Sequence, residues 1–132
     1  MPITTVTLND QDYLTTVRHE EFLYHADEPK ELGGENLFAT PSQYLLGSLG
    51  SCTAITLRMY AKRKEWDLGE ITIALRFVDQ LVEGKTIRTI EKKLNFSNGE
   101  NLEEKQIKRL YTIAEKCPVA KIIKGETKII TV

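Results

Sequence analysis

Cysteine and histidine are scarce in this chain: it holds two of each, Cys52, Cys117, His19 and His25. Four such residues, scattered and without ligand spacing, argue against a structural metal site. Two cysteines also make no disulfide framework. Long apolar runs are missing as well, since no window approaches the ~18 consecutive apolar residues of a membrane helix. The opening Met1-Pro2-Ile3-Thr4-Thr5 has no basic stretch followed by an apolar one, so a cytoplasmic location is expected. There both cysteines stay reduced unless they take part in redox chemistry. Neither sign of charge is in excess: 18 Lys and Arg stand against 19 Asp and Glu, a net charge of −1. That removes the basic footprint of a nucleic-acid binder. Internal repeats and low-complexity segments are also lacking.

What is present is an ordinary globular balance, with 41% hydrophobic and 28% charged residues over 132 positions. The length fits one domain, 1–132, and surface scaling lets a chain of this size bury roughly two-thirds of its surface without staples.

Residues 3–8 and 13–18 are rich in Thr and Val and are split by the turn formers Asn9-Asp10-Gln11-Asp12, which predicts a hairpin. A third strand is expected through Phe22, Tyr24 and Ala26, with Leu23 and His25 on its other face. Pro29, Gly33 and Gly34 then make 27–39 a loop able to approach a ligand or partner. Thr40-Pro41-Ser42-Gln43 reads as a helix start, with Thr40 as N-cap, Pro41 at the first helical position and Gln43 closing a capping box. The helix should run to Lys64, with Leu45, Leu49, Cys52 and Met59 as its apolar stripe and Lys62-Arg63-Lys64 at its negative end. Its middle, Gly47-Ser48-Leu49-Gly50-Ser51-Cys52, spends two glycines that each cost ~1 kcal/mol relative to alanine. Close packing against a second helix, with Cys52 at the crossing, would compensate.

Beyond Trp66-Asp67-Leu68-Gly69, Ile71, Ile73, Leu75 and Phe77 alternate as a half-buried strand. It should turn at 82–85 into an antiparallel partner over 86–96, with Ile90, Leu94 and Phe96 on one face. A second helix is expected over 102–117, capped near Glu100 or Asn101 and closed by Cys117 before Pro118. A turn over 119–123 and a last strand over 127–132 complete the order β-β-β-α-β-β-α-β. The class is α+β, with antiparallel and mixed pairing.

Cys52 and Cys117, 65 positions apart, are the one pair with evident reactive capacity. A thiolate is the reactive form and needs a positive or oriented neighbour, for which Arg18, Arg58 and Lys116 are candidates. Cysteine pairs in such chains are often simply core. His19 and His25 read as hydrogen-bonded structural residues, Lys62-Arg63-Lys64 as a solvated helix end, and Trp66 and Tyr111 as packing.

Several segments in order resemble one family: His25-Ala26-Asp27-Glu28-Pro29, Gly33-Gly34, Thr40-Pro41, the run Gly47 to Lys64 around Cys52, and Ile113-Ala114-Glu115-Lys116-Cys117-Pro118-Val119. They are similar to the OsmC/Ohr proteins, osmotically inducible protein C and the organic hydroperoxide resistance protein, over nearly the whole chain. The resemblance implies a two-layer α+β fold, an intertwined homodimer and a central Cys-bearing helix. It also implies a thiol peroxidase that reduces organic hydroperoxides with neither metal nor flavin. On that likeness Cys52 is the peroxidatic nucleophile, oxidised to a sulfenic acid. Cys117 resolves it as a Cys52–Cys117 disulfide, and an external dithiol, such as a lipoyl-bearing protein, reduces the bridge. An early-strand arginine, matched by Arg18, activates the thiolate, held by a Glu nine or ten positions before the first cysteine. Gln43 and Ser42 occupy those positions here. Ala120 stands where the branch usually has histidine after Cys-Pro-Val. Two other readings are carried alongside: a non-catalytic dimer of the same fold holding a small apolar ligand, and a redox-sensing partner protein.

Overall fold

The computed structural model describes residues 2–10 and 12–132; Gln11, one of the expected turn formers, and Met1 lie outside them. The chain divides into two compact units, 1–45 and 46–132, with the break inside the first turns of one helix.

In the first unit, strands β1 (Thr4–Leu8), β2 (Thr15–His19) and β3 (Phe22–Ala26) form an antiparallel meander in the register Val6↔Val17↔Tyr24. The expected hairpin and third strand are both present, with β2 shifted one to two residues along. Val17 and Ala26 are buried. His19 Nδ1 bonds Thr4 Oγ1 at 2.7 Å, and His25 Nδ1 lies 3.2 Å from Thr16 Oγ1, so both histidines are hydrogen-bonded within the sheet. Residues 27–39 are organised by one carboxylate. Asp27, 2% exposed, accepts the Glu28 N–H at 2.8 Å on Oδ1, and the Glu35 and Leu37 N–H groups at 3.3 and 3.2 Å on Oδ2. A Cβ at Gly34 would collide with the Glu28 carbonyl, so only glycine lets the loop close over this carboxylate.

The Glu28 N–H holds the Asp27 carboxyl below its ordinary range; burial opposes it, and the Leu37 and Glu35 N–H groups reinforce it. A depressed carboxyl stabilises the fold above its unfolded pKa, and that contribution fades as pH falls through the folded value. Asp27→Asn turns an amide NH₂ towards backbone donors. It is expected to lower the melting temperature at neutral pH, with the gap from the parent shrinking on acidification. Melting curves at the two pH values check it; a gap that does not depend on pH contradicts it.

Helix α1 (Pro41–Lys64) starts as the sequence predicts: the Thr40 N–H donates to Gln43 Oε1 at 2.9 Å, and the Gln43 N–H to Thr40 Oγ1 at 3.2 Å. Its last turn carries Lys62, Arg63 and Lys64, and Glu65 at φ 58° ends it.

The second unit adds β4 (Ile71–Val82), β5 (Lys85–Phe96), α2 (Glu104–Ala114) and α3 (Pro118–Lys124). β4 and β5 pair antiparallel through Glu83-Gly84, both at positive φ, the turn that matches strand twist. The sheet lays Ile71, Ile73, Leu94 and Phe96 on Leu57, Tyr60, Ala61, Leu68, Leu110, Ile113 and Ala114. A smaller cluster joins Leu49, Cys117 and Ala120 with Cys52, Leu75, Ile90 and Val119.

Several expectations are corrected. The pairing is antiparallel throughout and falls into a three-stranded and a two-stranded sheet, with no mixed sheet among the described residues. The last strand, 127–132, has no regular structure: a strand needs a partner edge, and Ile129, Ile130 and Val132 are exposed without one. Cys117 does not close α2, which ends at Ala114; it is the N-cap of α3, with Pro118 at the first helical position. There proline starts a helix as readily as it stops one. The buried stripe of α1 is Leu49, Thr53, Leu57, Tyr60 and Ala61, while Leu45 and Met59 are exposed. Gly50 is met by Leu75 of β4 rather than by a helix, and space around Gly47 is open. Among the described residues, no helix is long and apolar enough to cross a membrane.

Candidate functional site

Folding of the second unit brings the two cysteines together. Cys52, half-buried on α1, packs into the cluster that holds Cys117, and its side chain is among the groups that lower the Cys117 pKa; both are free thiols. Cys117 is 0% exposed. Its Sγ accepts the Ala120 N–H at 3.3 Å, the bond by which it caps α3, and lies 3.6 Å from the Thr53 hydroxyl. Position 120, alanine in place of the branch's histidine, therefore contributes its backbone N–H, with the methyl in the core.

Sequence reasoning missed Lys92. On β5 it points to the same side as Ile90 and Leu94, which pack on the two different clusters, so its side chain runs along the seam between them. The Lys92 side chain is 12% exposed. Its Nζ donates to Ala114 O at 2.9 Å and to Thr53 Oγ1 at 3.3 Å. The signal was in the strand pattern: a lysine on the apolar face of an alternating strand has to find partners inside.

Burial pushes the Cys117 thiol up, but the Ala120 N–H, the Thr53 hydroxyl, Cys52 and the positive charge of Lys92 outweigh it, and the net shift is downward. Cys117 is thus biased toward thiolate although it is sealed from water. Cys52 instead borders an open groove of 940 Å³ floored by Ile55, Met59, Ile113 and Pro118, with Lys62, Arg63 and Lys116 among its lining.

The other expected site residues lie as follows. Arg58 donates to the Gly69 carbonyl and is engaged away from the sulfurs. Lys116 is exposed and lines the Cys52 groove. Arg18 is exposed on β2, in register with Thr5 and Leu23 of the first unit. Gln43 is exposed and gives its Oε1 to the capping box. Tyr111, expected to pack, is exposed. No three His, Cys, Asp or Glu side chains cluster as metal ligands among the described residues.

An α+β fold that seats two free thiols against each other, one buried and one beside an apolar groove, defines a dithiol protein. The family model for OsmC-like proteins matches residues 33–132, and the chain belongs to the OsmC-like family. The resemblance carried by the two Cys-centred segments is thereby borne out, with His25–Pro29 ahead of the matched stretch. Among solved structures, a Psychrobacter arcticus 273-4 protein linked to osmotic stress and detoxification responses is 24% identical, with TM-score 0.75 over 92% of this chain and 87% of its own. The Legionella pneumophila organic hydroperoxide resistance protein OsmC is 18% identical, with TM-score 0.69 over 95% and 90%. OhrB of Bacillus subtilis, an organic hydroperoxide resistance protein, is 16% identical, with TM-score 0.64 over 96% and 92%. At these identities the shared feature is the fold. No curated protein matches the chain closely enough to count as a relative.

Proposed function

We propose that the protein is a two-cysteine thiol peroxidase that reduces organic hydroperoxides as a homodimer, recycled by an external dithiol such as a lipoyl-bearing protein. The observation that carries this reading is the packing of the Cys52 side chain into the small core cluster that buries Cys117, which gathers the two sulfurs in one part of the core. The asymmetry of the pair divides the labour. Cys52, beside the groove, can meet a bulky peroxide, whereas Cys117 is sealed and can meet only Cys52.

In the first step the Cys52 thiolate attacks the terminal peroxide oxygen, the O–O bond breaks, and the alkoxide takes a proton to leave as an alcohol. Cys52 is then a sulfenic acid. In the second, the Cys117 thiolate attacks the Cys52 sulfur, the S–O bond breaks, and the departing hydroxide takes a proton to become water. The proton lost when Cys117 ionised balances that gain. The external dithiol then supplies two electrons and two protons and restores both thiols.

The homodimer is supported by exposed apolar side chains away from the groove that a second copy could cover, Leu81, Ile87, Ile129 and Ile130 among them. Light scattering is expected to return twice the chain mass; a monomer would remove this part of the proposal.

The deciding measurement is the protein mass under denaturing, non-reducing conditions before and after one equivalent of cumene hydroperoxide. Loss of two hydrogens per chain is expected, and two thiols that stay titratable would overturn the peroxidase. The apolar floor of the groove favours one other reading, a carrier of a small apolar ligand. Saturable binding of a fatty-acyl probe without peroxide consumption would select it.

A further inference from the structure

We propose that Lys92 is a positioning residue for the resolving step: acting through the Thr53 hydroxyl, it holds the Cys117 sulfur as the thiolate that attacks oxidised Cys52. The proposal rests on the peroxidase reading for its kinetic consequence but not for its chemistry.

A nearly buried ammonium has lost most of its water and is retained only if other groups replace it. Here two do. Ala114 O is the last carbonyl of α2, at the negative end of that helix. Thr53 Oγ1 is the second acceptor. Among the described residues, the one carboxylate in range is a weak partner: Glu115 lies 4.0 Å from Lys92, is mostly exposed, and stands closer to Lys124, at 3.1 Å. A lysine serving only as a structural ion pair would be placed otherwise.

Thr53 is 0% exposed and carries one proton for two acceptors, Leu49 O at 2.8 Å and Cys117 Sγ at 3.6 Å. While Cys117 is a thiol, the hydroxyl can serve Leu49 and receive the S–H. Once Cys117 ionises, a rotation about the Cβ–Oγ1 bond turns the O–H to sulfur, and the Lys92 N–H fills the oxygen lone pair behind it. The chain N–H···O–H···S⁻ thus ends on a full positive charge. Among the described groups bearing on Cys117 that charge is the only one, since Ala120 gives a backbone N–H and Cys52 a thiol. Among the described residues, the titratable and charged groups around this seam are Cys52 from α1, Lys92 and Arg88 from β5, Tyr111 from α2, Glu115 after α2, and Lys124 from α3.

The test separates this role from simple structure. In Cys52→Ser protein, where a hydroxyl still faces Cys117, thiolate absorbance is titrated against pH, with the Cys52→Ser/Cys117→Ser protein subtracted. Adding Lys92→Met is expected to move the midpoint upward; Lys92→Arg, which keeps the charge, should restore it; Thr53→Val should shift it in the same direction as Lys92→Met. In the protein with both cysteines, Lys92→Met should slow disulfide formation at neutral pH, because less of Cys117 is the attacking thiolate. Consumption of the first peroxide equivalent should be unchanged, and the deficit should close at alkaline pH. A midpoint that Lys92→Met leaves in place overturns the proposal, as does an equal shift in folded Lys92→Arg. If the parent consumes no hydroperoxide, the peroxidase reading fails, and the titration still decides what Lys92 does to Cys117.

Discussion

Cys52→Ser is expected to bring hydroperoxide consumption to the rate without protein, while Cys117→Ser consumes a first equivalent per chain without recycling, and a second only as its sulfenic acid is overoxidised. The reason lies in access and nucleophilicity together. A serine hydroxyl at position 52 is far too weakly acidic to attack a peroxide, and the remaining thiolate of Cys117 is 0% exposed, so it cannot take over. In the Cys117→Ser protein the order is reversed. Cys52 still borders the groove and is oxidised, but no thiol lies against it to release water. The sulfenic acid then persists, open to trapping by dimedone, and excess peroxide drives it to the sulfinic acid. Peroxide consumption with a dithiol present, read beside the trapped-adduct mass, separates the two variants. Comparable sustained turnover in both would contradict the assignment of roles.

The second large effect falls on the fold. Leu57 is 0% exposed and sits on the core stripe of α1 among Tyr60, Ala61, Leu68, Phe96 and Leu110. Leu57→Ala removes methyl and methylene groups from contact on several sides, and neighbours on a helix and a paired sheet relax only partly into the space. The cost is about 2–5 kcal/mol. For a chain of this size that lowers the melting temperature by roughly 10 °C. Urea unfolding with an unchanged slope and a reduced midpoint would confirm it. A loss below ~1 kcal/mol would mean that the second unit does not depend on this cluster.

Much of the local structure was legible because its causes are local. The Thr40–Gln43 box, the long helix to Lys64 and the turn at Glu83-Gly84 each follow from caps, charge and φ preferences within a few residues. Pro118 misled because proline after an apolar run suits a helix end and a helix start alike, and only the Cys117 cap decides between them. The stretch from Thr127 to Val132 has strand composition, yet composition supplies no partner edge. Its pattern is β-prone and unpaired at once.

The candidate site divides the same way. Cys52 and Cys117 stand out as residue types, and the neighbouring segments carry the family likeness that residues 33–132 bear out. Lys92 had only a faint trace, a charged residue set between Ile90 and Leu94 on the core-facing side of its strand. The sequence by itself therefore determined most of the elements up to α2, the family and the two sulfurs, because propensity, capping and reactive side chains act over short range. Which cation serves Cys117, and which thiol is sealed and which open, only the tertiary structure decided. Burial and Coulomb energy depend on distances through space, and those exist only once β5, α1 and the α2–α3 junction have packed together.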